Sequence, residues 1–87
     1  MSWPRTVPVL TAKDIARGVF HLGDKHCLRG WVHTIFGARE KRLVVAALEE
    51  QTGRAISLYN DRNPKSAVAG AWNGAMRRLG YTEVSET

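Results

Sequence analysis

The adjacent residues His26 and Cys27 are the pair in the chain best suited to nucleophilic chemistry. A thiolate is stabilised by a neighbouring imidazolium and by a helix N-terminus, and Cys27 lies near the start of a predicted helix. With Asn60 or Asp61 to orient the histidine, these residues would form a Cys/His/Asn or Cys/His/Asp arrangement with Cys27 as nucleophile. However, no family signature surrounds the cysteine, and a lone cysteine in an apolar helical repeat usually packs as a small buried residue. The sequence therefore favours a structural Cys27 and predicts no catalytic residue.

The histidines and the cysteine also raise the question of a zinc site. The residues concerned are His21, His26, Cys27 and His33. Their spacing matches neither a paired CxxC pattern nor HExxH. The glycines of the same region form neither GxGxxG nor a GxxxxGK[ST] phosphate loop. We therefore expect no metal and no cofactor.

Composition indicates one small globular domain. The chain has 87 residues, of which 44% are hydrophobic and 24% charged. A single cysteine excludes an internal disulfide and favours a reducing compartment, which we expect to be the cytoplasm. No apolar run approaches the roughly 20 residues that cross a bilayer, and the N-terminus lacks the pattern of a secretory signal. We expect no association with membranes.

The chain is basic, with 13 Lys and Arg against 8 Asp and Glu, a net charge of +5. This excess favours an acidic partner, either nucleic acid or an acidic protein surface. If the predicted helices over residues 38–52 and 64–79 are antiparallel neighbours, the cations at the start of the first approach those at the end of the second. Like charges so placed repel and do not serve stability. The candidate partner-binding residues are Arg39, Lys41, Arg42, Tyr59, Arg62, Arg77 and Arg78, and the alternative is an ordinary solvated face.

The last helix, residues 64–79, has the clearest signals. Asn63 is a good N-cap, Pro64 suits the first helical position, and Gly80 can close the helix in a left-handed conformation. The residues predicted to face the core are Val68, Trp72, Ala75, Met76 and Leu79.

Two tryptophans and two glycines carry further expectations. Trp72 and Trp31 are predicted to be core residues. Gly70 and Gly74 each cost up to about 1 kcal/mol against alanine in a helix interior. A neighbour packed closely against each glycine is the expected compensation.

Three further helices are predicted from apolar periodicity and end signals. They are residues 12–22 with Thr11 as N-cap and Asp14 completing a capping box, residues 25–36 capped by Asp24, and residues 38–52 closed by Gly53. Residues 55–59 alternate in polarity and predict a short strand, and residues 60–63 predict a polar turn. Tyr81 and Val84 are expected to dock back onto the domain.

These elements predict a mainly α fold, a small four-helix single domain with at most a minor pair of short strands. An extended N-terminal arm covers residues 1–10, because its two prolines exclude a helix interior, and it lays Trp3 and Val9 on the core. The helical domain covers residues 11–84, and residues 85–87 form a frayed tail.

A helix-turn-helix unit over residues 11–36 is an alternative for the first half of the chain. The residues that would supply the exposed polar edge of the reading helix are Lys25, His26, Arg29 and His33. Against this reading, Asp24 in the turn repels phosphate, and Gly30 weakens the second helix.

The pattern CLRGW at residues 27–31, followed by ISLYNDR at 56–62 and RRLGY at 77–81, resembles a group of small uncharacterised bacterial and phage proteins. That group carries a Cys-x-x-Gly start to one helix and an aromatic-Asn-Asp turn before the last. The resemblance covers residues 11–81. It implies a phage or mobile-element context, in which small proteins often bind and block a host component such as a CRISPR effector. It carries over no catalytic residue.

The sequence therefore predicts a non-enzymatic interaction protein that binds through a basic and aromatic surface. The resemblance implies that it is an anti-CRISPR-like inhibitor in a bacterial host cell, with a host protein or ribonucleoprotein complex as its partner. The alternative is a small nucleic-acid-binding protein, and a cysteine-dependent enzyme is a second alternative. Salt dependence of binding separates the first two, and thiol labelling separates the third.

Overall fold

Helices account for most of the computed structural model, which describes residues 6–17 and 21–84. Four α-helices lie in this part of the chain: α1 (Leu28–Ile35), α2 (Ala38–Thr52), α3 (Ile56–Arg62) and α4 (Lys65–Arg78). The mainly α, four-helix fold predicted from the sequence is confirmed. None of the described helices is long and apolar enough to cross a membrane.

Two short strand pairs complete the described part of the chain. Strand β1 (Thr6–Pro8) pairs in parallel with β4 (Thr82–Val84), so that Val7 lies opposite Glu83. Strands β2 (His21–Leu22) and β3 (Lys25–His26) form an antiparallel hairpin. The predicted arm is therefore extended over its described residues, and its first five residues lie outside the described chain, as does the predicted tail, 85–87.

The core is centred on Trp72, whose side chain is fully buried. The Trp72 indole N–H donates to the Pro8 carbonyl at 3.1 Å. The next residue of α4, Asn73, accepts a hydrogen bond from the Leu10 N–H and donates one to the Leu10 carbonyl, both at 2.9 Å. Two side chains of α4 therefore fix the N-terminal arm through hydrogen bonds to the backbone of the arm. Val7 and Leu10 are the buried residues of the arm, whereas Val9 is half-buried, and Trp3 lies outside the described residues.

The predicted helix over residues 12–22 is wrong. Among the described residues of this range, 12–17 and 21–22, the only helical segment is a 3₁₀ turn, Ala12–Asp14, and His21–Leu22 form strand β2. The Thr11 N–H donates to Asp14 Oδ2 at 2.8 Å, so the predicted capping interaction exists. Ile15 then adopts an extended backbone, because it forms a β-bridge with His26 in the second strand of the hairpin.

The second predicted helix starts three residues later than expected. Asp24 lies in the hairpin turn beside Gly23, whose φ of 63° suits glycine, and Cys27 is the N-cap of α1. Without a helix over residues 12–22, the helix-turn-helix alternative is also wrong. Trp31 is half-buried against the core and is not a fully buried core residue.

The predicted strand at 55–59 and the polar turn after it are wrong, since α3 occupies both. Ile56 and Asn60 are buried at helical spacing and fix this segment on the core. Asn63 ends α3, and its side-chain amide donates to the Tyr59 carbonyl at 3.1 Å, so it does not cap α4. Leu79 follows the end of α4 and is 39% exposed, against the prediction.

Two helix predictions are confirmed. Helix α2 covers residues 38–52 as predicted, and Gly53 closes it with a φ of 73°. The interior of α4 buries Val68, Trp72, Ala75 and Met76 on one face, as expected. Tyr81 packs its ring on Phe36 at 5.4 Å, whereas Val84 docks through its backbone and leaves its side chain exposed.

Candidate functional site

A groove with basic rims lies between α1 and α2 and has a volume of about 480 Å³. We call it the basic groove. The described residues that line it are Arg29, Val32, His33, Ala38, Lys41, Arg42, Val45, Ala46 and Glu49. Four of them are aliphatic, three are Lys or Arg, one is a histidine and one is a carboxylate. The groove therefore combines an apolar floor with an excess of positive charge.

Helix α1 supplies one rim because of its apolar spacing. Leu28 and Val32 are buried four residues apart and fix which side of the helix meets the core. Arg29 and His33, also four residues apart, consequently lie together on an exposed side. Val32 is the point at which the core reaches the floor of the groove.

Helix α2 supplies the floor and the second rim. Its buried residues, Glu40, Val44 and Leu48, recur every four positions. The adjacent face, which carries Lys41 and Val45, turns towards the groove and is half-buried. A link of two residues joins α1 to α2, so the two helices pack as neighbours and the groove lies between them.

The cations of the groove differ from the two arginines at the end of α4 in forming no ion pair. Within the described residues, Arg29, Lys41 and Arg42 form no ion pair. In contrast, Arg77 pairs with Glu83 at 2.7 Å and Arg78 pairs with Glu50 at 2.8 Å. Within the described residues, the positive charge of the basic groove is therefore not compensated by ion pairs, whereas Arg77 and Arg78 at the end of α4 are paired.

The structure separates the seven residues proposed from the sequence. Lys41 and Arg42 line the basic groove, and Arg39, exposed in the same turn of α2, does not. Arg77 is held by Glu83, and Arg78 reaches Glu50 and Gln51 at the last turn of α2. The expected approach of Arg77 and Arg78 to the cations in the first turn of α2 is replaced by these pairings.

The two remaining candidates lie on α3. Tyr59 is half-buried and packs against the core, which leaves only part of its ring for a partner. Arg62 is exposed in the last turn of α3 and does not line the basic groove. Neither residue joins Lys41 and Arg42 in one site.

Sequence reasoning missed Arg29 and His33 as members of the site. The sequence analysis names both as the polar edge of a DNA-reading helix, and names His33 also in the question of a zinc site, but neither as a partner-binding residue. Their spacing of four residues was the available signal, because it places them on one side of any helix through residues 28–35. What the sequence could not supply was the neighbour across the groove.

Cys27 has a structural contact as the N-cap of α1. Its Sγ accepts a hydrogen bond from the Gly30 N–H at 3.4 Å. The neighbouring His26 ring packs edge-on against Trp31, with centroids 4.6 Å apart. Asn60 is buried and uses both atoms of its amide on backbone groups, at Leu28 and Ala16. The three residues of the Cys/His/Asn arrangement considered from the sequence are thus engaged in capping, packing and hydrogen bonds to the backbone.

The described residues contain no group of three or more His, Cys, Asp or Glu side chains placed to hold a metal ion. No protein-family model, no curated protein and no solved structure matches the chain. Its function is therefore inferred from the chemistry of its own surface.

Proposed function

We propose that this chain is a non-enzymatic interaction protein that binds an acidic surface of a host protein or ribonucleoprotein complex in the bacterial cytoplasm. The observation that carries the proposal is the set of unpaired cations at the basic groove. Like charges that line one groove repel, so Arg29, Lys41 and Arg42 gain no stability from one another. An acidic partner would relieve that repulsion and would be steered to the groove by its field.

The engagement of Cys27 and Asn60 in packing supports a binding role over a cysteine enzyme. Cys27 caps α1, and Asn60 has both amide atoms in hydrogen bonds with the backbone. Serine caps a helix well, so Cys27→Ser is expected to bind the partner within a few-fold of the wild type. A folded Cys27→Ser protein without activity would contradict the binding role and favour the enzyme.

The inhibitor role within this class rests on the resemblance to small bacterial and phage proteins. A protein of that kind acts by occupying a surface that a host defence or regulatory complex needs. Expression of the chain in a bacterium with an active CRISPR system should then raise the plaquing efficiency of a targeted phage. An unchanged efficiency would remove the CRISPR effector from the candidate targets.

Nucleic acid is the second candidate partner, favoured by the net charge of +5 and by the same unpaired cations. The two partners differ in their salt response. Phosphate contacts lose affinity steeply with salt and depend little on sequence, whereas a protein site contains a few dominant residues.

The test begins with capture on the purified chain from nuclease-treated host extract, followed by reconstitution with the purified partner and calorimetry at about 0.15 M salt. We expect a protein that binds after nuclease treatment and that loses affinity to Lys41→Glu/Arg42→Glu. The matched control is Lys13→Glu/Arg54→Glu, which makes the same change in net charge at two exposed residues outside the groove.

Two results would overturn the proposal. One is sub-micromolar binding of generic duplex or single-stranded nucleic acid at this salt concentration, lost in the groove variant. The other is a partner whose affinity falls equally in the groove variant and the control, because net charge alone would then explain binding.

A further inference from the structure

The basic groove has the shape and chemistry of a site for a helix. Its α2 side runs from Ala38 to Glu49, about 16 Å at roughly 1.5 Å per residue. That length accommodates about three turns of a second helix. The floor is aliphatic along this length, with Val32 from α1 and Val45 and Ala46 from α2. A helix can place an apolar stripe on such a floor through residues spaced three and four apart.

The rims of the groove determine the charge of its occupant. Arg29 lies on the α1 rim, and Lys41 and Arg42 lie on the α2 rim. A helix seated on the floor would bring residues beside its apolar stripe to both rims, and carboxylates there would pair with these cations. Glu49, at the far end of the α2 lining, would oppose a neutral or basic residue. The groove thus has a direction as well as a charge.

The same lining is poorly suited to nucleic acid. None of the described residues that line the groove is Phe, Tyr or Trp, so a single strand would find no aromatic platform for base stacking. The floor offers aliphatic carbon where a phosphate backbone needs polar groups, and Glu49 would repel phosphate. Charge alone permits both partners, but the apolar floor favours a protein segment.

We infer that the basic groove binds an amphipathic acidic helix of the partner protein, with the apolar stripe of that helix on Val32, Val45 and Ala46 and its carboxylates on Arg29, Lys41 and Arg42. This inference rests on the proposed function and deepens it, because it assigns the partner's contacting segment and the residues that hold it. It also places His33 beside the acidic segment, on the α1 rim.

The test uses a defined probe and does not depend on finding the partner. The probe is a synthetic peptide of about twelve residues, with leucines at positions i, i+3, i+4 and i+7 and glutamates flanking them. A lactam bridge on its outer face keeps it helical, because peptides of this length are marginal helices in water. The comparison probes are a peptide of the same composition with scrambled order and a single-stranded oligonucleotide of equal charge.

Binding is measured by fluorescence anisotropy with the full chain. We expect the amphipathic peptide to bind at least about tenfold more tightly than the scrambled peptide and the oligonucleotide. Lys41→Glu/Arg42→Glu should weaken it by about tenfold or more, and Lys13→Glu/Arg54→Glu by no more than about twofold. Ala46→Gln, at an exposed position of the floor, should also weaken it, because it fills the groove without changing the charge.

Circular dichroism establishes that each variant is folded, and Arg42→Gln replaces the double variant if that one fails to fold. Equal binding of the ordered and scrambled peptides, or Ala46→Gln binding at wild-type affinity, would overturn the inference, because charge would then act without the groove. Tighter binding of the oligonucleotide would also overturn it. Failure here with a captured protein partner in hand would leave the proposed function standing, whereas retention of nucleic acid alone would remove both.

Discussion

Asn60 is the residue on which the position of α1 depends most directly. Its side-chain oxygen accepts a hydrogen bond from the Leu28 N–H at 2.9 Å, and its amide nitrogen donates to the Ala16 carbonyl at 3.1 Å. The Leu28 N–H belongs to the first turn of α1 and has no acceptor within that helix. Asn60 therefore caps α1 from α3, beside the contact that Cys27 makes with Gly30.

Asn60→Ala should destabilise the fold strongly because it leaves one buried donor and one buried acceptor without a partner. We expect a loss of about 2–4 kcal/mol in the free energy of unfolding, measured by urea denaturation with tryptophan fluorescence. Asp61→Ala, one residue along the same helix and exposed, is the matched control and should change stability by less than about 0.5 kcal/mol. Equal stability of the two variants would show that the hydrogen bonds of Asn60 contribute little.

Such a residue is hard to recognise in the sequence. Asn60 follows Tyr59 and precedes Asp61, Arg62 and Asn63, a run that is typical of a turn. Its role depends on a backbone N–H that lies 32 positions earlier in the chain. The local sequence pattern places Cys27 near the start of a helix, because capping by Cys27 involves neighbouring residues. It does not predict the second cap, which Asn60 provides from a distant part of the chain.

At the scale of elements, the helices predicted best are those whose ends are marked within their own sequence. Helix α2 is continuous from Ala38 to Thr52 and closed by Gly53, and both ends follow from local residues. The segment 55–59 is too short for its alternation to exclude a helix, and the spacing of Ile56, Tyr59 and Asn60 fits one equally. Tertiary contacts decided between the two.

The helix predicted over residues 12–22 failed for a related reason. Its capping pair, Thr11 and Asp14, is real, yet it starts only a 3₁₀ turn. The backbone of Ala16 donates to the His26 carbonyl at 3.0 Å instead of continuing a helix. Pairing with a strand that follows in the sequence outweighed the local helix signal.

The two glycines inside α4 test how neighbours modify helix propensity. An added methyl group at Gly70 would meet nothing within 4 Å, which contradicts the expected close neighbour. At Gly74 it would lie 2.8 Å from Nε2 of Gln51, the residue whose Oε1 accepts a hydrogen bond from Arg78. Only the second glycine therefore has a packing reason.

We expect Gly70→Ala to raise the free energy of unfolding by about 0.4–1 kcal/mol, since alanine is the better helix former and the site is open. Gly74→Ala should gain less than Gly70→Ala, because the Gln51 amide must move and its contact with Arg78 is disturbed. Thermal and urea denaturation of the two single variants provide the comparison. A destabilised Gly70→Ala protein would mean that a neighbour approaches this face after all.

At the scale of the whole molecule, the net charge could be predicted from the sequence, but the positions at which the charge stays unpaired could not. The sequence alone gives +5, and it identified Lys41 and Arg42 as part of a basic surface. It could not show that Glu83 and Glu50 neutralise Arg77 and Arg78, because these pairs join separate elements. Two of the four Lys, Arg and His side chains that line the basic groove were therefore predicted from the sequence, and the pairing of elements determined the rest.

The pairing of the two ends of the described chain packs Tyr81 against the core. Residues 82–84 pair with the N-terminal arm, and the Tyr81 ring lies against Phe36. Burial raises the pKa of Tyr81 above its usual value of 10.0, and the negative charge of Glu40 adds to that rise. Both causes disfavour the tyrosinate in the folded protein.

Stability should consequently fall at alkaline pH. In the unfolded chain Tyr81 ionises near pH 10, whereas the folded chain keeps the proton to higher pH, so between the two pKa values the folded state binds more protons. Its contribution is complete below about pH 10 and is lost as pH rises through the folded pKa. We expect the difference in unfolding free energy between the wild type and Tyr81→Phe to be constant below about pH 9 and to shift against the wild type above about pH 10. Urea denaturation of both proteins across this range measures it, and parallel curves for the two proteins would show that Tyr81 titrates alike in the folded and unfolded chains.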